Sequence, residues 1–145
     1  MTVECVLVPV DGSEEALTAV EHAAAVADRY GADVHALYVV GSETAREIRA
    51  GDLEREAVAE GASRFFEQVR AVCSRRSVAV SSSTAAGFST GRLTRHPGSV
   101  ILDCAEEADA DFVVVPRERA VDAPEALEKA AEYVLSYASQ PVLAV

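Results

Sequence analysis

The residues best placed to do chemistry stand together early in the chain, at Asp11-Gly12-Ser13. They supply a carboxylate, a backbone free to turn, and a hydroxyl able to cap a following helix. A carboxylate there can meet a ligand, or it can merely cap the helix and shape the turn. The preceding run, Val3 to Val10, is apolar and β-branched, which suits a strand buried on both faces. A strand, a tight turn and a helix open a βαβ unit. In open α/β sheets the ligand crevice lies beyond the carboxyl ends of the strands, where strand order reverses. A central first strand therefore sets Asp11 at that crevice.

Other reactive residue types are more scattered. Gly87 to Pro97 is a glycine-punctuated loop carrying Arg92 and Arg95. Backbone N–H groups and guanidinium groups there suit an anion, and a surface excursion explains the same residues equally well. Cys5, Cys73 and Cys104 lack the spacing of a disulfide framework or a zinc site and read as buried, inert thiols. His22, His35 and His96 have no metal-ligand spacing. No nucleophile–base pair, metal cluster or usefully spaced pair of acids is visible, so the expectation is no catalysis and no metal.

The elements that must position Asp11 follow from periodicity. Ser13 to Tyr30 reads as a helix, with Ser13 as its cap and Gly31 as its stop. Asp33 to Val40 reads as a second strand, and a long helix runs from about Asp52 to Cys73. Between them, Gly41 to Gly51 is polar loop with a helical turn near Thr44–Arg49. Phe65 and Phe66 are expected to pack in the core. Ser77 to Ala86 alternates Val and Ser as an edge strand would. Pro97 to Ala108 is a helix with proline in its first turn. Asp111 to Val115 is a fourth strand. Asp122 to Glu125 resembles a capping box for a last helix that ends near Ala138 and buries Leu127, Ala131, Val134 and Leu135. Pro141 to Val145 closes the chain as an edge strand. Alternating strands and helices imply a parallel five-stranded sheet with helices on both faces.

At 145 residues the chain is expected to form one domain, residues 1–145. That length buries roughly 70% of the unfolded surface without metal or disulfide. No apolar run reaches the ~20 residues that span a bilayer. The amino-terminal stretch has no basic segment leading into an apolar one. The expectation is a cytoplasmic protein without a membrane partner. The 24 acids against 13 bases leave a net charge of −11, which argues against nucleic acid as a partner. Twelve of the bases are arginine and only Lys129 is lysine. An acidic, lysine-poor composition also suits concentrated salt, where screening removes self-repulsion.

Over almost its whole length the sequence resembles the universal stress protein (UspA) family. The resemblance rests on four segments in order: Val6-Leu7-Val8-Pro9-Val10-Asp11-Gly12-Ser13, Val34 to Val40, Ala108 to Val115, and Pro141 to Val145. It implies a universal stress protein-like, adenine nucleotide alpha hydrolase-like α/β fold with strand order 3-2-1-4-5. It also implies a homodimer, often paired through the last strand. Many members bind ATP, and the resemblance then implies ligand contacts at Pro9, Val10 and Asp11 and adenine contacts near Val39. The family's phosphates sit on a glycine motif after strand four, where backbone N–H groups close around phosphate. Here the two glycine positions fall on Pro116 and Arg119, and the later Gly-Ser pair falls on Glu128-Lys129. Proline removes a donor, and Glu128 adds a negative charge. Arg117, Arg119, Lys129 or Arg92 would have to reach an anion with side chains instead. The expectation is therefore a stress-response module that does not bind ATP in the usual way. The alternatives are an ATP or AMP sensor using arginine side chains, and a small-molecule enzyme on the same scaffold.

Overall fold

The computed structural model describes residues 2–40, 47–51, 54–86, 96–117 and 130–145. Five strands, β1 (Cys5–Val10), β2 (Asp33–Val40), β3 (Val80–Ala86), β4 (Phe112–Val115) and β5 (Val142–Ala144), form one sheet. All neighbouring strands run parallel, and their order is β3-β2-β1-β4-β5. This is the fold expected from the sequence. The longer helices among the described residues are α1 (Glu14–Tyr30), α2 (Arg55–Ser74), α3 (Pro97–Glu107) and α4 (Ala130–Tyr137), and residues 47–50 make a helical turn.

Strand alternation divides the core in two. Val6, Val8, Val10, Val34 and Ala36 face α1 and α2, meeting Ala16, Val20, Ala23, Phe65 and Val69. Leu7, Leu37, Val39 and Val113 face the other way, meeting Val100 and Ile101 of α3 and Val134 of α4. β1 is thus buried on both faces, as its unbroken apolar run requires. The alanines of α1 let that helix lie close to the sheet.

α1 begins where the sequence says it should. The Ser13 hydroxyl accepts from the Ala16 N–H at 3.1 Å, and Gly31 takes the left-handed conformation, φ 67°, that closes the helix. Several boundaries differ from expectation. β3 starts at Val80 because Ser77, at φ 55°, turns the chain out of α2 and the Val78 N–H returns to the Cys73 carbonyl. The final strand is the shorter Val142–Ala144. Leu135 is 56% exposed and points away from the core that Val134 enters. Cys73 is buried, but Cys5 and Cys104 are only half-buried. Burial still raises all three thiol pKa values, which disfavours the thiolate. The Asp122–Glu125 capping box, Leu127, Thr44–Arg46 and Gly87–Arg95 lie outside the described residues. No helix among the described residues is long and apolar enough to cross a membrane.

Candidate functional site

The backbone ladders on the two sides of β1 end at different levels near its carboxyl end. β1 pairs with β2 as far as Val10↔Tyr38. Its pairing with β4 stops earlier, at Leu7↔Val113. Two prolines account for the difference. The Asp33 N–H donates to the Glu4 carbonyl, so even-numbered residues of β1 face β2 and odd-numbered ones face β4. The N–H groups of Val113 and Arg117 donate to Pro141 and Val145, so even-numbered residues of β4 face β1. The next two donors along the β1–β4 ladder are then Pro9 and Pro116, and neither has an N–H. The ladder cannot continue, which leaves a gap in the pairing of β1 with β4. Proline in a central strand is normally disfavoured; at Pro9 its missing donor falls where pairing ends.

Asp11 stands at the mouth of this gap. Its Oδ1 accepts from the Ser13 N–H at 3.0 Å, which ties the carboxylate to the start of α1. Its Oδ2 is buried and accepts no hydrogen bond from the described residues. Gly12 adopts φ 90°, which a side chain would strain, and a Cβ there would lie 3.1 Å from the Tyr38 hydroxyl. That hydroxyl donates to the Asp11 carbonyl at 3.3 Å. The Tyr38 ring packs edge-on against Phe65 and Phe66 of α2. Burial, reinforced by Asp11, raises the Tyr38 phenol above its ordinary pKa and so preserves the donor. Tyr38 therefore fixes the turn from the α1–α2 side.

Of the residues singled out in the sequence, Pro9, Val10 and Val39 are buried around this gap, and Asp11 is half-buried at its rim. Pro116 is buried at the end of β4, and Arg117 follows it, exposed. The Arg117 N–H is committed to the Val145 carbonyl at 2.8 Å. Arg92, Arg119 and Lys129 lie outside the described residues.

The sequence reading missed two constellations. His35 of β2 lies opposite Ser81 of β3, with Ser83 one step along the same face. Its Nδ1 pairs with the Ser81 Oγ at 2.7 Å and its Nε2 with the Ser83 Oγ at 2.8 Å. Imidazole–hydroxyl pairs thus exist where none was expected, three positions before Tyr38 and on the α3 side of the sheet. At the opposite end of the sheet, Asp111 Oδ2 accepts from the Glu4 and Cys5 N–H groups at 2.8 and 3.1 Å. That carboxylate anchors the start of β1 across more than a hundred residues of sequence. Among the described residues no group of three or more acid, histidine or cysteine side chains is arranged to hold a metal.

Comparison with known proteins agrees with this architecture. The universal stress protein family model matches residues 3–145. Among solved structures, universal stress protein UspA from Lactobacillus plantarum is 22% identical, with a TM-score of 0.76 over 100% of this chain and 99% of that one. The universal stress protein from Archaeoglobus fulgidus in complex with dAMP is 19% identical, with a TM-score of 0.69 over 99% and 98%. A universal stress protein in complex with cAMP is 18% identical, with a TM-score of 0.68 over 100% and 98%. At these identities the structures establish the shared fold. No curated protein sequence matches. The family match over residues 3–145 decides the assignment: this chain belongs to the universal stress protein family.

Proposed function

We propose that this universal stress protein is a non-catalytic, cytoplasmic regulatory module of one domain. Its ligand crevice lies at Asp11, and it does not hold ATP through a backbone phosphate cradle. The observation that carries this reading is the end of β4. Pro116 has no N–H, and the Arg117 N–H is already used by Val145. Backbone donors that would close around phosphate are therefore missing from the first two positions of the loop. The module acts as a homodimer through Pro141–Val145, since β5 ends the sheet with β4 on one side only.

A second reading, an ATP or AMP sensor, is favoured by the Asp11 Oδ2, which takes no hydrogen bond from the described residues. A buried carboxylate oxygen gains from a donor such as an adenine amine or a ribose hydroxyl. Universal stress proteins of the same fold have structures in complex with cAMP and with dAMP. On that reading Arg117, Arg119 or Lys129 would take the phosphates.

Calorimetric titration with ATP and AMP, with and without Mg²⁺, in high KCl, tests the first reading. The expected result is no binding of ATP or AMP up to millimolar concentration, with or without Mg²⁺. Binding of either nucleotide that is lost in Asp11→Ala would establish the nucleotide sensor instead.

A further inference from the structure

Two serines share one imidazole on the α3 side of the sheet, and their surroundings differ. Ser81 stands opposite His35 in the β2–β3 pairing, and Ser83 follows on the same face. The His35 Nδ1 lies 2.7 Å from the Ser81 Oγ, and its Nε2 lies 2.8 Å from the Ser83 Oγ. A neutral imidazole donates from one nitrogen and accepts at the other, so one hydroxyl donates to the ring and the other accepts from it. Ser83 is half-buried, and its Oγ also lies 3.9 Å from the Cys104 Sγ of α3. It thus has a second partner for its own proton and can accept from the ring at the same time. Ser81 is exposed, and the ring is the neighbour its hydroxyl meets at 2.7 Å. A reachable hydroxyl, a base in contact with it, and a third group holding that base make the arrangement that activates a nucleophile. Burial lowers the His35 pKa below its ordinary value, so the ring is neutral and able to take a proton near pH 7.

We propose that Ser81 is a nucleophile activated by His35, and that it accepts an acyl group from small, uncharged activated esters. The protons run in one order: Ser81 O–H to Nδ1, Nε2–H to the Ser83 Oγ, and Ser83 O–H to the Cys104 Sγ. In the reaction the Ser81 Oγ bonds to the acyl carbonyl carbon as its proton passes to Nδ1. The bond from that carbon to the leaving oxygen then breaks, and the proton moves from Nδ1 to that oxygen. The ring ends neutral, and nothing is oxidised or reduced. His35 touches the reacting atoms, whereas Ser83 and Cys104 are positioning residues that hold its tautomer. The exposure of Ser81 gives a small ester access without a cavity, and the net charge of −11 repels polyanionic acyl carriers. One acyl group per chain is a modification and not turnover, so it stands beside a non-catalytic reading of the module.

The full chain treated with p-nitrophenyl acetate, with acetyl groups located by peptide mass spectrometry, provides the test. Ser82 is the internal control, because it is also exposed but falls on the other face of β3. Acetylation of Ser81 is expected to exceed that of Ser82 by about tenfold or more. His35→Gln is expected to lower Ser81 labelling about tenfold or more while Ser82 labelling, which reports that the strand is in place, stays the same. Ser83→Ala is expected to lower Ser81 labelling several-fold, and Ser83→Thr to restore it, since a threonine hydroxyl still accepts from Nε2. Equal labelling of Ser81 and Ser82, or Ser81 labelling that survives His35→Gln, overturns the proposal. Absence of acetyl on Ser81 once the ester is consumed overturns it as well. Labelling that ignores Ser83→Ala overturns the order of protons through Ser83 and Cys104.

Discussion

His35 shows how a single side chain can carry a pH dependence without a charged partner. Burial lowers its pKa below the ordinary imidazole value. Both Ser81 and Ser83 hydroxyls can accept as well as donate, so protonation need not break either hydrogen bond. The cost of protonation is the desolvation of a charge. The unfolded chain takes up the proton more readily than the folded one. The contribution to stability is therefore whole above the unfolded imidazole pKa, about 6.5, and is lost as pH falls through the folded value. Urea denaturation between pH 8 and pH 5 should show stability falling, and falling less in His35→Gln. Identical slopes in the two proteins would refute the assignment to His35. The pairing was hidden in the sequence because it depends on the register of β2 against β3. Neither His35 nor the serine-rich β3 announces that register. The Asp111 anchor was hidden likewise, since Glu4 and Asp111 are 107 positions apart. Asp11-Gly12-Ser13, by contrast, was legible because its turn and cap are local chemistry.

Among elements, the contact between α3 and α4 is the most exacting. His96 caps α3 through its Nδ1, which accepts from the Gly98 N–H at 3.0 Å. Its ring stacks on Tyr133 of α4 at 4.5 Å, and Tyr133 leans on Tyr137 at 4.7 Å. Gly98 lies directly beneath Tyr133. A Cβ at Gly98 would come within 2.6–2.7 Å of the Cδ1, Cβ and Cγ atoms of Tyr133. Those atoms sit at the root of the side chain and cannot swing clear. Alanine in a helix is intrinsically better than glycine by about 1 kcal/mol. Overpacking costs about 1–3 kcal/mol, so the clash should prevail. Gly98→Ala should lower the denaturation midpoint, and Tyr133→Ala in that background should recover part of the loss. A midpoint that rises in Gly98→Ala alone would show that propensity decides. The helices themselves were readable from their apolar period and caps. The exposed Leu135 was not, because a short helix with apolar residues on adjacent positions does not declare which one faces inward.

Across the whole molecule, 24 acids stand against 13 bases. The ion pair between Arg76 and Asp28 spans 3.3 Å, but its side chains are 48% and 49% exposed. Such pairs contribute only about 0–1 kcal/mol. Against them stands a net charge of −11 whose self-repulsion opposes the compact state. Dimerisation through β5 would bring two such chains together and raise the repulsion further. Salt acts on both steps through the same screening. The Debye length falls from about 10 Å at 0.1 M to about 3 Å at 1 M. Repulsion between distributed surface charges should therefore fade over that range, while an edge pairing through Pro141–Val145, which backbone hydrogen bonds would make, should persist. Raising KCl from 0.1 to 1 M is expected to raise the melting temperature and then level off. Sedimentation over the same range should show the dimer fraction growing. The plateau separates screening from the general salting-out effect, which continues to climb with concentration when sulfate replaces chloride. A melting temperature that stays flat or falls with KCl would mean that the acids are already accommodated by their local surroundings. A chain that remains monomeric at every salt concentration would remove β5 as the dimer edge, and the half-exposed strand would then be left to a different partner.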